Sequence, residues 1–253
     1  MKLLDLTLPT PTQNLACDEA LLEWRERKGG EEILRFWESP DYFVVVGYAN
    51  KMETEVNLAA CRAQEIPVLR RCSGGGTVVQ GRGCLNYALL LDISRRKELE
   101  TLGSTNRFVM ERNRDAVQKV IAEKAKDDGT GVPPAHSSLI RTGGTPIPPV
   151  DFRNVVEIHG VTDLAISKIK FSGNAQRRGK RFVLFHGSFL LDFDLAMIGK
   201  LLPMPTKQPQ YRENRSHEDF LMNLGVPAAK IKKGMRAVWG ADKQLKHFPS
   251  MSP

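Results

Sequence analysis

The chain has 253 residues, enough for a sizeable core in one large domain or two small ones. Apolar residues make up 41% and charged residues 26%, the balance of a soluble globular protein, and no stretch approaches the roughly 20 apolar residues that span a bilayer. The formal charge of +8 favours anionic partners, yet the basic residues are scattered and carry no zinc-finger or RNA-recognition signature, which argues against nucleic acid and for an acidic protein plus a nucleotide. Taken in chain order, residues 14–28 predict a helix with Cys17, Ala20, Leu21 and Trp24 on one face, stopped by Gly29-Gly30. EEILRFWES and DYFVVVGY follow as strands around a Ser39-Pro40-Asp41 turn. Asn57 caps a short helix to Glu65, and IPVLRRC is a strand entering a glycine cluster. CLNYALLLDI is almost continuously apolar, the pattern of a central strand covered on both faces. A long helix covers residues 105–126, with Val109, Ala116, Val117, Val120 and Ile121 at helical spacing.

Asp127 to Pro149 holds four glycines and five prolines with little apolar patterning, and reads as a flexible insertion. NVVEIHG, TDLAIS and KIKFSGNAQRR are successive short strands, and RFVLFHGSFLLDFD is another. Asp194 caps LAMIGKLL, and Ser216 with Asp219 opens a helix through Leu224. Pro227 begins a last helix that ends near Gly240, leaving a loosely held tail from Ala241 to Pro253. The mixture of strands and helices lacks strict alternation, so the expected fold is α/β (α+β) with a mixed, largely antiparallel sheet flanked by helices. The N-terminus carries Asp5 and prolines where a signal peptide needs an apolar run, which predicts a cytoplasmic protein.

Three segments can carry chemistry. Arg70-Arg71-Cys72-Ser73-Gly74-Gly75-Gly76-Thr77 places a triple glycine after a strand. So many glycines are unfavourable to order, and they suit a loop whose backbone N–H groups must approach a ligand. The arginines add donors for a carboxylate or phosphate, but the run is neither a Walker A loop nor a dinucleotide fingerprint. Thr162-Asp163-Leu164 followed by Lys170, Phe171, Ser172, Gly173, Asn174, Ala175 and Gln176 offers a lysine for an acyl carbonyl or phosphate and a carboxylate for magnesium. His186-Gly187 lies inside an apolar strand, where a histidine read alone is an ordinary core residue. Cys17, Cys61, Cys72 and Cys84 form no C-x-x-C pair, so neither a zinc site nor a disulfide framework is expected.

Together these segments resemble one family. R-R-x-S-G-G-G-T-V with L-N-Y, then D-L-A and K-F-S-G-N-A-Q-R-R, then H-G-S-F-L-L-D-F-D-L are similar to the lipoate–protein ligase A family of the biotin/lipoyl ligase fold. Asn14 to Leu22 (NLACDEALL) resembles that family's first helix, and the motifs keep their order over residues 5–225. The resemblance implies a catalytic domain over residues 1–240 with no C-terminal accessory domain, and an acyl-adenylate mechanism using ATP and Mg²⁺ on lipoate or octanoate. Biotin fits less well, because the S-G-N-A-Q-R-R and H-G-S segments resemble the lipoyl branch. The partner it implies is an acidic lipoyl carrier, either a lipoyl domain or a glycine-cleavage H-type protein, with a separate accessory subunit as an open point. By position, Arg70, Ser73, Gly74, Gly75 and Gly76 would line the acyl and phosphate site, Lys170 would contact the acyl carbonyl and phosphate, and Asp163 the magnesium. Asn86 would lie beneath the nucleotide, Ser172, Gly173 and Ala175 would cradle the adenylate, and His186 would support the acyl tunnel.

One departure qualifies the resemblance. The family's His-Asp after the glycine loop is Gln80-Gly81 here. Octanoyl- and lipoyl-transferases share the fold but need a cysteine thiolate. The two segments where such a nucleophile lies read Arg181 to Phe185 and Asn154 to Val156, with no cysteine. A cysteine-dependent transferase with Cys72 or Cys84 near the site, and a non-catalytic carrier-binding protein, are the alternatives.

Overall fold

The computed structural model describes residues 1–127 and 156–246. Most of the expected insertion, from residue 128 onward, therefore lies outside the described residues. In chain order the elements are β1 (Lys2–Asp5), α1 (Pro11–Lys28), β2 (Ile33–Trp37), β3 (Phe43–Val46), α2 (Met52–Glu55), α3 (Leu58–Ala63), β4 (Val68–Arg70), β5 (Val78–Gln80) and β6 (Cys84–Asp92). There follow α4 (Leu102–Asp127), β7 (Glu157–His159), β8 (Asp163–Ile166), β9 (Ile169–Arg178), β10 (Phe182–Leu190), α5 (Ala196–Leu201), α6 (His217–Phe220), α7 (Ala228–Trp239) and β11 (Lys243–Gln244).

An eight-stranded mixed sheet runs β11-β1-β2-β6-β10-β9-β8-β7, and a second sheet of three strands runs β4-β3-β5. The expected α/β architecture with a largely antiparallel sheet is what forms: β2, β6, β10, β9, β8 and β7 pair antiparallel, and β1 pairs parallel with its neighbours. β6 is central and double-faced, as its apolar run predicts. Leu85, Tyr87, Leu89 and Leu91 join the core that includes α4 and α7 side chains, while Ala88 and Leu90 join the core with Cys17, Leu21 and Leu22 of α1. The period of two along the strand sends alternate side chains to opposite faces.

Several boundaries differ from the sequence reading for local reasons. α1 begins at Pro11 because Thr10 and Gln13 form a capping box, with Pro11 in the first helical turn. Its buried face is rotated from the expected one: Asn14, Asp18 and Arg25 are buried beside Cys17, Leu21 and Leu22. The helix after Ser216 ends at Phe220, since Met222 N–H donates to the Lys170 carbonyl. The tail is held through residue 246: Ala241 is fully buried and Lys243–Gln244 add a parallel strand to β1. Strands β1 and β5 were not expected. Among the described residues no helix is long and apolar enough to cross a membrane.

Candidate functional site

Strand register lays out the site floor in two rows. Arg35 of β2, Ala88 of β6, His186 of β10 and Ala175 of β9 are successive neighbours across the sheet. One step along, the row is Trp37, Asn86, Ser188, Gly173 and Asp163. Residues two apart share a face, so both rows present toward the α1 side. The glycine loop, between β4 and β5, closes over this floor, and residues 203–217 supply another wall. The cleft between them has a volume of about 580 Å³.

The glycine loop depends on close backbone approach. Gly75 has φ +91°, and a Cβ on Gly47 would lie 2.1 Å from the Gly75 carbonyl oxygen. Only residues without a side chain allow that contact. Arg71 ties the loop together, donating from Nε to Ser73 Oγ at 3.1 Å and from Nη2 to the Gly74 and Gly76 carbonyls at 2.7 Å each. Burial pulls the Arg71 guanidinium down to about 10, still charged at neutral pH.

Of the expected site residues, Gly75, Gly76, Asn86, Asp163, Lys170, Ser172, Gly173, Ala175 and His186 all line the one cavity. Three fall elsewhere. Arg70 points away: its Nη1 donates to the carbonyls of Gly47, Tyr48 and Asn50 at 2.8–2.9 Å and pins that turn. The arginine lining the cavity is Arg71, one residue beyond the end of β4. Ser73 is 1% exposed and lies behind the lining, and Gly74 does not line it.

Ser73 Oγ is 2.6 Å from His186 Nε2, and His186 Nδ1 is 3.9 Å from Asp18 Oδ2. That order resembles a serine triad, but the last distance exceeds a hydrogen bond and the serine is buried and bonded by Arg71. Asp18 is held mainly by Arg35, at 2.5 Å, with Arg35 fully buried. Burial pushes the Asp18 carboxyl up, but the Arg35 charge and hydrogen bond, with the nearby His186 ring, outweigh it, and the group is held below its ordinary value. Arg35 also donates to the Asn14 and Leu6 carbonyls and to Asn14 Oδ1. Sequence reasoning missed Arg35 and Asp18; the signal was an arginine in an apolar strand opposite polar residues on the helix's apolar stripe.

Lys170 Nζ lies 2.8 Å from Asp163 Oδ1, and Tyr211 Oη donates to Asp163 Oδ2 at 2.8 Å. Burial, and then the Asp163 charge, push the Tyr211 phenol well above its ordinary range, so it stays a donor. Both Asp163 oxygens are thus engaged. Among the described residues no group of three or more His, Cys, Asp or Glu side chains could hold a metal. In this structure the Asp163 carboxylate positions Lys170, and it lines the cavity where a single carboxylate would meet a magnesium brought by nucleotide phosphates.

Four lining residues keep buried polar atoms without a hydrogen-bond partner: Trp37 Nε1, Thr77 Oγ1, Gln80 Oε1 and both amide atoms of Asn86. Such atoms each cost about 1–3 kcal/mol when left unpaired, so a ligand with a polar head fits this cavity better than a wholly apolar one. Gly81, at φ +152°, cannot be replaced easily, because a Cβ there would meet Tyr42 Cδ1 at 2.6 Å.

The sequence profile of the lipoyl protein ligase A/B catalytic domain matches residues 10–228. The chain belongs to that family. It is therefore an enzyme of the lipoate ligase and octanoyltransferase family. A protein of Mycoplasma pneumoniae named as a lipoate-protein ligase A is 30% identical over 90% of this chain, which spans 59% of that protein's length. An Aeropyrum pernix protein of the same name is 30% identical over 75% of this chain and 76% of its own. Octanoyltransferase LipM of Geobacillus kaustophilus is 27% identical over 81% of this chain and 70% of its own. Among solved structures, the Thermoplasma acidophilum bi-partite lipoate protein ligase shares the fold, with TM-score 0.70 at 22% identity, over 98% of this chain and 87% of that one. The family motifs around Gly75, Asn86, Lys170 and His186 are the ones that meet at the cavity.

Proposed function

We propose that this chain is a lipoate–protein ligase. It activates lipoate or octanoate with ATP to an acyl-adenylate and transfers the acyl group to a lysine of an acidic lipoyl carrier domain. The observation that carries the reading is that none of the four cysteines lines the cavity, with Cys17, Cys61 and Cys84 buried. Burial raises the Cys17 and Cys72 thiols to about 11 and Cys84 to about 12, and pushes Cys61 up as well. Cys72, partly buried beside the site, has Glu19 and Asp18 raising it further against Arg177. No cysteine of the chain is disposed to be a thiolate at neutral pH, and thiol-based acyl transfer needs one.

In the adenylating reaction the carboxylate oxygen of the acid attacks the α-phosphorus of ATP and pyrophosphate leaves. The carrier amine then attacks the acyl carbonyl, and the C–O bond electrons depart with AMP. Lys170, aimed by Asp163 and Tyr211, supplies positive charge where the carbonyl and α-phosphate oxygens gain negative charge. Arg71 and the loop amides neutralise charge from the glycine-loop side. Magnesium in this reading would come with the phosphates of ATP, and Asp163 in the cavity lining is the carboxylate that would meet it. Solved relatives of this fold bind lipoic acid and ATP, and the Thermoplasma ligase was solved as part of a lipoylation system with an E2 lipoyl domain.

The second reading is octanoyl transfer, favoured by the octanoyltransferase relatives at 24–30% identity. The deciding experiment incubates purified protein with an apo lipoyl domain, lipoic acid and magnesium, with and without ATP, and reads the carrier by mass. Modification that requires ATP, without an added second subunit, supports the ligase. Absence of modification with ATP, together with transfer from an octanoyl-carrier, supports the transferase.

A further inference from the structure

Lys170 reaches the cavity through a break in strand register. It stands three residues before Gly173, an odd spacing that puts two side chains on opposite faces of a regular strand. Yet its Nζ lies over Gly173, where a Cβ would be 2.9 Å away, and bonds to Asp163, the residue paired with Gly173. The β8–β9 pairing explains this. Leu164 pairs with Ser172 but Ala165 pairs with Lys170, so Phe171 is an extra residue in β9. Such a bulge re-aims the side chains beyond it. Phe171 joins Leu164 in the core that includes α4, and Lys170 is turned to the cavity.

A buried polar chain ends beside that bulge. Trp239 Nε1 donates to Asn113 Oδ1 at 2.9 Å, Asn113 Nδ2 to Tyr87 Oη at 2.7 Å, and Tyr87 Oη to Asn174 Oδ1 at 2.6 Å. Asn174 Nδ2 then donates to the Thr162 carbonyl at 2.7 Å, and Thr162 Oγ1 returns a bond to the Asn174 carbonyl at 2.7 Å. One end sets the direction of the whole chain. An indole N–H can only donate, so each group after it has a single orientation left. The Tyr87–Asn174 bond crosses β10 at Gly187, where a Cβ would collide with Asn174 Oδ1. Tyr87, Asn113 and Trp239 are all buried, so these bonds are shielded from competing water.

We propose that Tyr87, Asn113 and Trp239, acting through Asn174, are positioning residues that pin the β8–β9 register and so aim Lys170 into the cavity. The two bonds between Asn174 and Thr162 clamp the strands next to the Asp163–Gly173 pair. On the other side of the bulge, the Met222 N–H holds the Lys170 carbonyl. A slip of one residue would turn Lys170 away from Asp163, because side chains alternate with a period of two. The anchor is remote. Asn113 belongs to α4, and Trp239 ends α7, beyond residues 10–228 that the family profile matches. The charge that Lys170 brings to a reacting carbonyl rests on the ligase reading; the pinning of the lysine does not.

The test acylates the purified full chain with sulfosuccinimidyl acetate and follows Lys170 by peptide mass spectrometry, beside steady-state exchange of labelled pyrophosphate into ATP. Tyr87→Phe removes one hydroxyl and leaves Asn113 Nδ2 and Asn174 Oδ1 unpaired. Lys170 should then be acylated several-fold faster than in wild type, while the exposed Lys97 reacts at its wild-type rate. The kcat for exchange should fall about tenfold, the scale of a misplaced catalytic group, with KM for the acid unchanged. Trp239→Phe should move both readouts in the same direction, and it decides alone should Tyr87→Phe fail to fold. Val117→Ala, one turn along α4 from Asn113, loosens the same core without touching the polar chain and should leave both readouts at wild type. The same changes in Val117→Ala would reduce the effect to general loosening and overturn the pin. A folded Tyr87→Phe with Lys170 acylation and kcat both unmoved, in a wild type that exchanges, also overturns it and leaves the ligase reading standing. A wild type that does not exchange removes the ligase reading, and faster Lys170 acylation in Tyr87→Phe then supports the pin by itself.

Discussion

The Ser73 hydroxyl and the His186 ring meet at 2.6 Å although they are 113 positions apart in sequence. That contact joins the glycine loop to the central sheet. His186 in turn faces Asp18 of the first helix, which Arg35 anchors, so loop, sheet and helix share one buried polar chain. His186 therefore acts as a positioning residue for the loop. His186→Ala should raise KM for the acid more than it lowers kcat, with steady-state kinetics of ATP-dependent modification as the readout. A change confined to kcat would give His186 a part in the chemistry instead.

Asp18→Asn removes the anion facing a guanidinium that is fully buried. Stranding one member of a buried pair costs about 3–5 kcal/mol, and urea unfolding should show a loss of that order. The sign with pH follows from the lowered Asp18 pKa. The group contributes stability above its unfolded value, near ~4, and loses it as pH falls through the lower folded value. The wild-type advantage over Asp18→Asn should therefore be complete at neutral pH and shrink on acidification below about pH 4.

Lys170→Ala should reduce adenylation at least ~100-fold, the scale of losing one preorganised charge at a developing oxyanion. Its side chain is partly exposed, 23%, so the ion pair with Asp163 is screened and the unfolding free energy should change by no more than about 1 kcal/mol. Unchanged pyrophosphate exchange in a folded Lys170→Ala would show that the lysine has been misplaced.

Cys72→Ser should leave ATP-dependent modification within about twofold of wild type, because a thiol raised to about 11 is not a nucleophile at neutral pH. Loss of activity on this substitution, with an acylated Cys72 seen by mass spectrometry of the wild type, would move the protein to the transferase class.

With a formal charge of +8, encounter with an acidic carrier should be steered electrostatically. The second-order rate of carrier modification should fall clearly between low and physiological ionic strength, while the rate of pyrophosphate exchange stays nearly flat. A modification rate indifferent to salt would remove the acidic carrier from the proposal.

The sequence by itself determined what local pattern controls. The continuous apolar run of β6 announced a double-faced central strand, Gly240 at φ +62° ended the last helix, and Asn57 capped its short helix as read. The motif residues Gly75, Asn86, Lys170 and His186 were legible because their types and order carry chemistry without reference to contacts. Partnership was decided only by the tertiary structure. Alternation along β4 alone did not say whether Arg70 or Arg71 faces the cavity; the β3 pairing and the Gly47 turn set it. That Asp163 meets Tyr211, 48 residues later, and Lys170 was likewise set by the tertiary structure. Arg35 was invisible as a site element for the same reason: a buried charge has meaning only through what lies opposite it, and hydrogen-bond partners of high sequence separation leave no local periodicity to read.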